Sequence, residues 1–419
     1  MCILMSVLLR QKGPQQPHYL ISHTHKLLTP TRLPHIIGPQ GRRIGGGCKH
    51  KYKKNYLKKE YGKIKNHFFA LPLSETDSQM KQHLFGKTLS QLTEIAAEIG
   101  MPRFAAGQIA VWLYAKNVDS IDQMTNLSMR HRAALSERYD VGRTAPVRVT
   151  ASKDGTKKYL FEVSGGHFIE SAYIPDGDRA TLCVSSEVGC KMGCKFCATG
   201  KQGFQQPLTA GEILNQVASL PERDRLTNIV YMGMGEPLDN TDEVLRSIEI
   251  LTSSWGYGWS PTRITLSTVG VAPQLERFLS ECKAHLAVSL HNPFHDERAE
   301  IMPAERMWSI EEVIEVIRRH DFSHQRRVSF EYIVLEGMNH SPRHVAGLAK
   351  LLNGLSCRIN LIRFHKVPDS PFVSPDMAHV EKFQNALKAK GFTTTIRASR
   401  GEDIEAACGL LSTKELLKK

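Results

Sequence analysis

Three cysteines, Cys190, Cys194 and Cys197, stand at C-x3-C-x2-C in the segment Cys190-Lys-Met-Gly-Cys-Lys-Phe-Cys197. Thiolates at this spacing on one short loop can hold three irons of a [4Fe–4S] cluster, leaving the fourth iron open to chelate a substrate. Gly193 lets the backbone turn closely around such a group. The competing reading is a zinc site with Cys183 as fourth thiolate. Zinc sites favour paired C-x2-C knuckles, and the seven-residue step from Cys183 to Cys190 fits them poorly. The chain has nine cysteines, an odd number, and four of them fall between residues 183 and 197. That clustering argues for a metal or redox site rather than a disulfide framework.

The elements that must position this loop are legible as alternation. Strand-like runs at 158–163, 167–174 and 180–185 precede it. Beyond residue 198, apolar runs at 228–232, 263–268, 285–290, 328–335 and 358–364 alternate with amphipathic stretches at 210–220, 242–252, 274–281, 310–319, 343–352 and 380–390. Such alternation predicts parallel βα units, six of them making a partial barrel whose site residues lie at the C-terminal strand ends. Upstream, residues 88–139 read as helical. Leu89, Leu92, Ile95, Ala96 and Ile99 keep helical spacing until Pro102 stops the run.

The net charge of +13 is unevenly spread. Residues 1–79 carry 14 Lys/Arg against three acidic residues, while the remaining 340 carry 41 against 39. The charge therefore gives no RNA footprint on the body of the chain. Residues 1–79 show no lasting period and include a Gly45-Gly-Gly47 run, so a disordered extension ahead of a start at Met80 is expected. The other reading is a basic arm that contacts RNA. No apolar run reaches the length of a membrane span, and the apolar opening is a poor signal peptide, so a cytoplasmic protein is expected. The expected division is 1–79 extension, 80–150 helical accessory domain and 151–419 catalytic barrel.

With Tyr231-Met-Gly-Met-Gly-Glu-Pro237 at the next strand end, the cysteine loop resembles the radical S-adenosylmethionine (SAM) superfamily. The resemblance narrows to the RlmN/Cfr group of RNA adenine methyltransferases. It is carried by Thr181-Leu-Cys-Val-Ser-Ser-Glu-Val-Gly-Cys190, Leu266-Ser-Thr-Val-Gly270, Ser289-Leu-His291 and Arg400-Gly-Glu-Asp-Ile-Glu-Ala-Ala-Cys-Gly409, over the chain from Met80 onward. It implies an α/β fold, a partial (β/α)6 TIM-like radical SAM barrel behind a small N-terminal helical domain. It also implies a [4Fe–4S] cluster on Cys190, Cys194 and Cys197, and two SAM molecules per turnover.

The same resemblance assigns roles. Cys408 takes a methyl group from one SAM, and a 5′-deoxyadenosyl radical made from the second takes hydrogen from that methyl. The carbon radical adds to C2 of adenine, an electron-poor carbon that cannot attack SAM itself. Glu170 is the base for the ring proton, and Cys183 is the thiol that closes a transient disulfide with Cys408. SAM contacts carry onto Gly235, Glu236, Ser267, Ser289, Leu290 and His291, with His365 where the family usually has asparagine. The implied substrates are 23S rRNA, near the peptidyl-transferase centre, and tRNA, at the adenosine 3′ of the anticodon. A flavodoxin-type electron donor and a monomer are expected.

Taken alone, Cys408 reads as an inert buried thiol, Glu170 as a solvated strand residue and His365 as an ordinary histidine. Arg130, Arg132, Arg138 and Arg143 could grip phosphates or merely solvate a helix face. Two rivals stay open: adenine-C8 methylation of the Cfr type, and a non-catalytic iron–sulfur or zinc RNA-binding protein.

Overall fold

The computed structural model describes residues 81–419 other than 323–325, 368, 408, 412 and 414–419. The expected extension 1–79, and Cys408, lie outside the described residues.

The chain starts helically. In α1 (Leu89–Glu98) a capping box joins Thr88 and Gln91, and Leu92, Ile95 and Ala96 form its buried stripe. The helix ends sooner than Pro102 would require: Gly100 takes a left-handed φ of 73° just past the C-cap. Next come α2 (Ala105–Ala110), a π-turn over Val111–Ala115 and α3 (Met129–Arg138), capped by Ser128.

One sheet of ten strands follows: β1 (Arg148–Ala151), β2 (Lys157–Val163), β3 (His167–Asp176), β4 (Arg179–Cys183), β5 (Asn228–Tyr231), β6 (Ile264–Thr268), β7 (His285–Ser289), β8 (Val328–Val334), β9 (Arg358–Arg363) and β10 (Thr393–Ile396). Spatial order matches chain order. β1 to β4 are antiparallel neighbours, whereas β4 to β10 run parallel. After the short α4 (Ala198–Gln202), the parallel strands are crossed over by α5 (Ala210–Ala218), α6 (Thr241–Thr252), α7 (Ala272–Glu281), α8 (His295–Ile301), α9 (Ile310–Arg318), α10 (Pro342–Leu351) and α11 (Met377–Ala389). Each crossover helix turns an apolar stripe to the sheet. In α9, Ser309 caps the N-terminus, Glu311 and Glu312 occupy the first turn, and Ile310, Val313, Ile314 and Ile317 are buried.

The partial (β/α) barrel is thus as expected, with two additions. β10 extends the parallel run by a seventh strand, and β1, which straddles residue 150, extends the antiparallel edge. The helical part packs directly on the barrel, and all the described residues belong to one compact unit. Asn117 Nδ2 and Arg143 both donate to the Ala218 carbonyl at the end of α5, and Asn215 exchanges hydrogen bonds with Thr144. Among the described residues, no helix is long and apolar enough to cross a membrane.

Candidate active site

The cysteine loop leaves β4 at Cys183, at the C-terminal end of the parallel strands. Its stem is a short antiparallel pairing of Glu187–Val188 with Gln206–Pro207. Gln216 on α5 clamps the loop's first turn, accepting from the Ser185 amide at 2.8 Å and donating to the Ser185 carbonyl at 2.9 Å. Gly189 has a positive φ, and a Cβ there would lie 1.6 Å from the Gly203 carbonyl oxygen, so no side chain fits. The Cys197 amide donates to the Cys194 carbonyl, which curls the last thiol back toward the second. The C-terminal segment is fastened to this loop: Ala198 N donates to Gly409 O at 2.8 Å and Thr199 Oγ1 to Leu411 O at 2.6 Å.

Cys183, Cys190, Cys194 and Cys197 all line one cavity at the strand ends, together with Gly235, Glu236, Ser267, Ser289 and His291. Its volume of about 1240 Å³, open solvent included, accommodates a metal cluster with a nucleoside-sized molecule. Ala407 and Gly409, which flank Cys408, line it too. The sequence-predicted cysteines and strand-end residues therefore converge, although they span more than 100 positions of the chain.

The donor set fits an iron–sulfur cluster. Burial pushes the thiols of Cys190 and Cys194 far above the usual cysteine range, so thiolates here need a bound cation to draw off their protons. The spacing disfavours a single ion. Four thiolates about 2.3 Å from one zinc would stand roughly 3.8 Å apart. Among the described residues, two groups bring three ligating atoms within 4.8 Å of one another, and neither contains a cysteine.

The residues expected to contact SAM have locked backbones. Gly235 has φ +99°, and a Cβ there would stand 2.6 Å from the Glu187 Cβ. The Glu236 carboxylate accepts the Leu238 amide at 3.1 Å and the Val269 amide at 2.9 Å, tying β5's end to β6's. Burial lifts its carboxyl to about 7, whereas an approaching ammonium would favour the ionised form. His291 is left-handed at φ 57° and buried. Its Nδ1 accepts the Ile333 amide at 3.0 Å, so in the neutral ring the proton sits on Nε2. Burial lowers its pKa to about 3, which keeps it a neutral donor. Leu290 is fully buried and offers backbone only: its amide donates to Glu331 O and its carbonyl accepts from Arg298.

Leu290 is absent from the cavity lining, and two further expected residues sit elsewhere. His365 is buried but is absent from the cavity lining; its Nε2 is 3.1 Å from Ser399 Oγ and its Nδ1 faces Glu402 at 3.4 Å. Glu170 is buried on β3, 3.1 Å from Lys158 Nζ, and is likewise outside the lining. It is not the solvated residue that its type alone suggests. Its carbonyl accepts Ser185 Oγ at 2.6 Å, which anchors it to the start of the cysteine loop. No disulfide joins two of the described cysteines. Of the four arginines proposed for phosphate contact, Arg143 is a nearly buried strut between the helical part and α5, and Arg138 pairs with Glu98.

Sequence reasoning missed three charged groups here. Arg298 and Glu305 form a wholly buried ion pair beneath the strand ends. Glu331 on β8 accepts from Asn360 and pairs with Arg397, and both Glu331 and Arg397 line the cavity. Glu187 and Asp239 meet under the cysteine loop. Only Glu331 carried a signal, as a lone charge in the apolar run Val328–Val334.

Comparisons with known proteins agree with this geometry. Residues 184–349 match the model of the radical SAM superfamily, and residues 82–141 match the ribosomal RNA large subunit methyltransferase N-terminal domain. A probable dual-specificity RNA methyltransferase RlmN of Bacteroides fragilis is 60% identical over 333 residues, covering 80% of this chain and 97% of the relative. The dual-specificity RNA methyltransferase RlmN of Syntrophus aciditrophicus is 41% identical over 336 residues, covering 79% and 97%. The crystal structure of a radical SAM methyltransferase from Sphaerobacter thermophilus superposes with a TM-score of 0.74 at 42% identity, covering 79% of this chain and 99% of that one.

Proposed function

Since the chain belongs to the RlmN family of dual-specificity RNA methyltransferases, within the radical SAM superfamily, we propose that it forms 2-methyladenosine in 23S rRNA and in tRNA. The rRNA target is the adenosine near the peptidyl-transferase centre, and the tRNA target is the adenosine 3′ of the anticodon. The observation that carries this reading is the shared cavity, into which the cluster cysteines, Cys183 and both neighbours of Cys408 open.

The enzyme uses a [4Fe–4S] cluster and two SAM molecules per turnover. When bound, they supply the one-electron chemistry that an electron-poor ring carbon requires. Cys190, Cys194 and Cys197 hold the cluster, and Gly235, Glu236, Ser267, Ser289, Leu290 and His291 receive SAM. Cys408 carries the methyl group to the base. Glu170, held beside Lys158, takes the ring proton. Attack by the Cys183 thiolate on the Cys408 sulfur then forms the disulfide and breaks the sulfur–carbon bond, the leaving carbon takes up a proton to become the product's methyl group, and the disulfide awaits two-electron reduction. The target base must leave its stack to enter the cavity, and unpaired loop adenosines do so most cheaply. An external electron donor of flavodoxin type completes the cycle.

The deciding experiment is anaerobic turnover of an rRNA fragment and a tRNA, with nucleoside mass spectrometry, for the wild type and Cys408→Ala. The expected result is 2-methyladenosine in both RNAs, absent from the variant. Formation of 8-methyladenosine would move the enzyme to the other specificity. Intact SAM cleavage without RNA methylation would reject the substrate.

A further inference from the structure

Outside this cavity, two imidazoles and a carboxylate meet where the connection after β8 passes the first turn of α11. Glu336 and His340 belong to the connection and His379 to the helix. One ligating atom from each lies within 4.8 Å of the other two.

The tautomer of the neutral His340 ring is set by its partner. Its Nδ1 is 3.1 Å from the Leu335 carbonyl oxygen, which can only accept, so the ring proton resides on Nδ1. In the neutral ring Nε2 then presents a lone pair, and it stands 3.9 Å from Glu336 Oε2. A lone pair facing a carboxylate oxygen is repulsive unless a proton or a metal cation lies between them. The same Oε2 is 3.1 Å from His379 Nδ1. Ligands about 2.0–2.1 Å from a tetrahedral zinc ion stand roughly 3.3 Å apart, and the two separations bracket that figure.

The supporting shell is also in place. The bond from His340 Nδ1 to a carbonyl is the outer contact that metal-ligating histidines usually make. The His340 ring stacks on His379 at 5.8 Å and meets Phe383 edge-on at 6.5 Å, and the Glu336 amide donates to Val373 O at 3.1 Å. His379 is half exposed, so an ion could enter and keep a water.

We propose that Glu336, His340 and His379 form a binding site for a divalent transition ion of the zinc class, clamping α11 to the connection after β8. Two nitrogens and one oxygen select such an ion over calcium or magnesium, which take all-oxygen shells.

The test uses the full chain with its cluster reconstituted anaerobically, the wild type beside His379→Gln and His340→Gln/His379→Gln. Each is given zinc chloride and gel-filtered, and zinc and iron are counted per chain. Melting is followed with and without zinc. Expected are one zinc per chain more in the wild type than in the double variant at equal iron, at least about tenfold weaker binding in His379→Gln, and a zinc-dependent rise in melting temperature confined to the wild type. Equal zinc in all three proteins would place the ion elsewhere and overturn the proposal, as would a wild type that retains none. The half-exposed His379 makes the single variant safe for folding.

Discussion

Lys158 Nζ lies 3.1 Å from Glu170 Oε1, and side-chain exposures of 14% and 5% make this a nearly dry ion pair. The two residues sit on adjacent antiparallel strands, β2 and β3, and Glu170 is tethered through Ser185 to the cysteine loop. Removing one partner of such a pair leaves the other as an uncompensated buried charge, whereas removing both relieves it. Lys158→Met is therefore expected to destabilise the protein more than Lys158→Met/Glu170→Gln does. The coupling should be about 1–3 kcal/mol by anaerobic denaturant melts. Additive losses would mean that the two charges do not support one another. Both variants should lose methylation, since each disturbs the carboxylate proposed as base.

A second pair of acids makes a prediction about pH. Glu187 is wholly buried; Oε2 accepts the Glu236 amide at 2.9 Å, and the carboxyl also meets Asp239, whose Oδ2 is 2.6 Å from Lys191 Nζ. Burial first, then Asp239 and Glu236, push the Glu187 carboxyl up to about 9. It thus holds a proton at neutral pH. Between its ordinary value near 4.5 and this raised one, the folded protein binds a proton that the unfolded chain has lost. Its contribution to stability is whole below that window and falls as pH rises through it. Glu187→Gln mimics the protonated acid, so it should fold and bind SAM normally. Between pH 5 and 8 its stability should decline less steeply than that of the wild type, by about 1.4 kcal/mol per pH unit at most. Parallel stability curves for the two proteins would show that Glu187 is ionised.

Beneath the strand ends, Arg298 acts as a connector. Its Nε donates to Leu290 O at 2.9 Å, and one terminal nitrogen reaches Val269 O at 2.9 Å and Ser289 O at 2.7 Å. The other terminal nitrogen pairs with Glu305. One planar guanidinium thus fixes the loops that follow β6 and β7, where the expected SAM contacts lie. An ammonium cannot span these acceptors. Arg298→Lys is expected to cost roughly 3–5 kcal/mol in stability, as for a broken buried pair, and to weaken SAM binding at least about tenfold. Calorimetry of SAM binding to the cluster-loaded variant checks this, and wild-type affinity would refute it.

The contrast with what the sequence shows is instructive. The parallel strands β4 to β9 and the cysteine loop were legible, because each buried strand writes an apolar run and each crossover helix writes a stripe. β10 was not: Thr393–Ile396 is four residues, three of them threonine, held by one neighbour and by α11. β1 was invisible for the same kind of reason, being an exposed edge with no alternation between faces. Arg298 lies in His295–Ile301, whose charges read as a solvated helix. Nothing in that pattern says that a strand-end carbonyl cluster waits above it. His365 carried its expectation through the resemblance alone, and its side chain lies against Ser399 and Glu402.

A substitution at Gly235 is expected to separate cluster loading from SAM binding. At φ +99° it occupies a conformation that side chains resist, and an added Cβ would lie 2.6 Å from Glu187 Cβ and 2.8 Å from Glu187 N. Glu187 is buried and hydrogen-bonded to the next residue's amide, so it cannot yield. Gly235→Ala must therefore displace the turn that carries Glu236, because Glu187 is held in the paired stem of the cysteine loop. The variant should retain wild-type iron content and the cluster's visible absorption, yet lose SAM affinity by about 100-fold or more, equivalent to roughly 3 kcal/mol. Equilibrium dialysis with labelled SAM, run beside iron analysis, reads both quantities on one sample. Loss of iron together with SAM would mean that the turn supports the cysteine loop as well, and unchanged affinity would mean that the Gly235–Glu236 turn does not hold SAM.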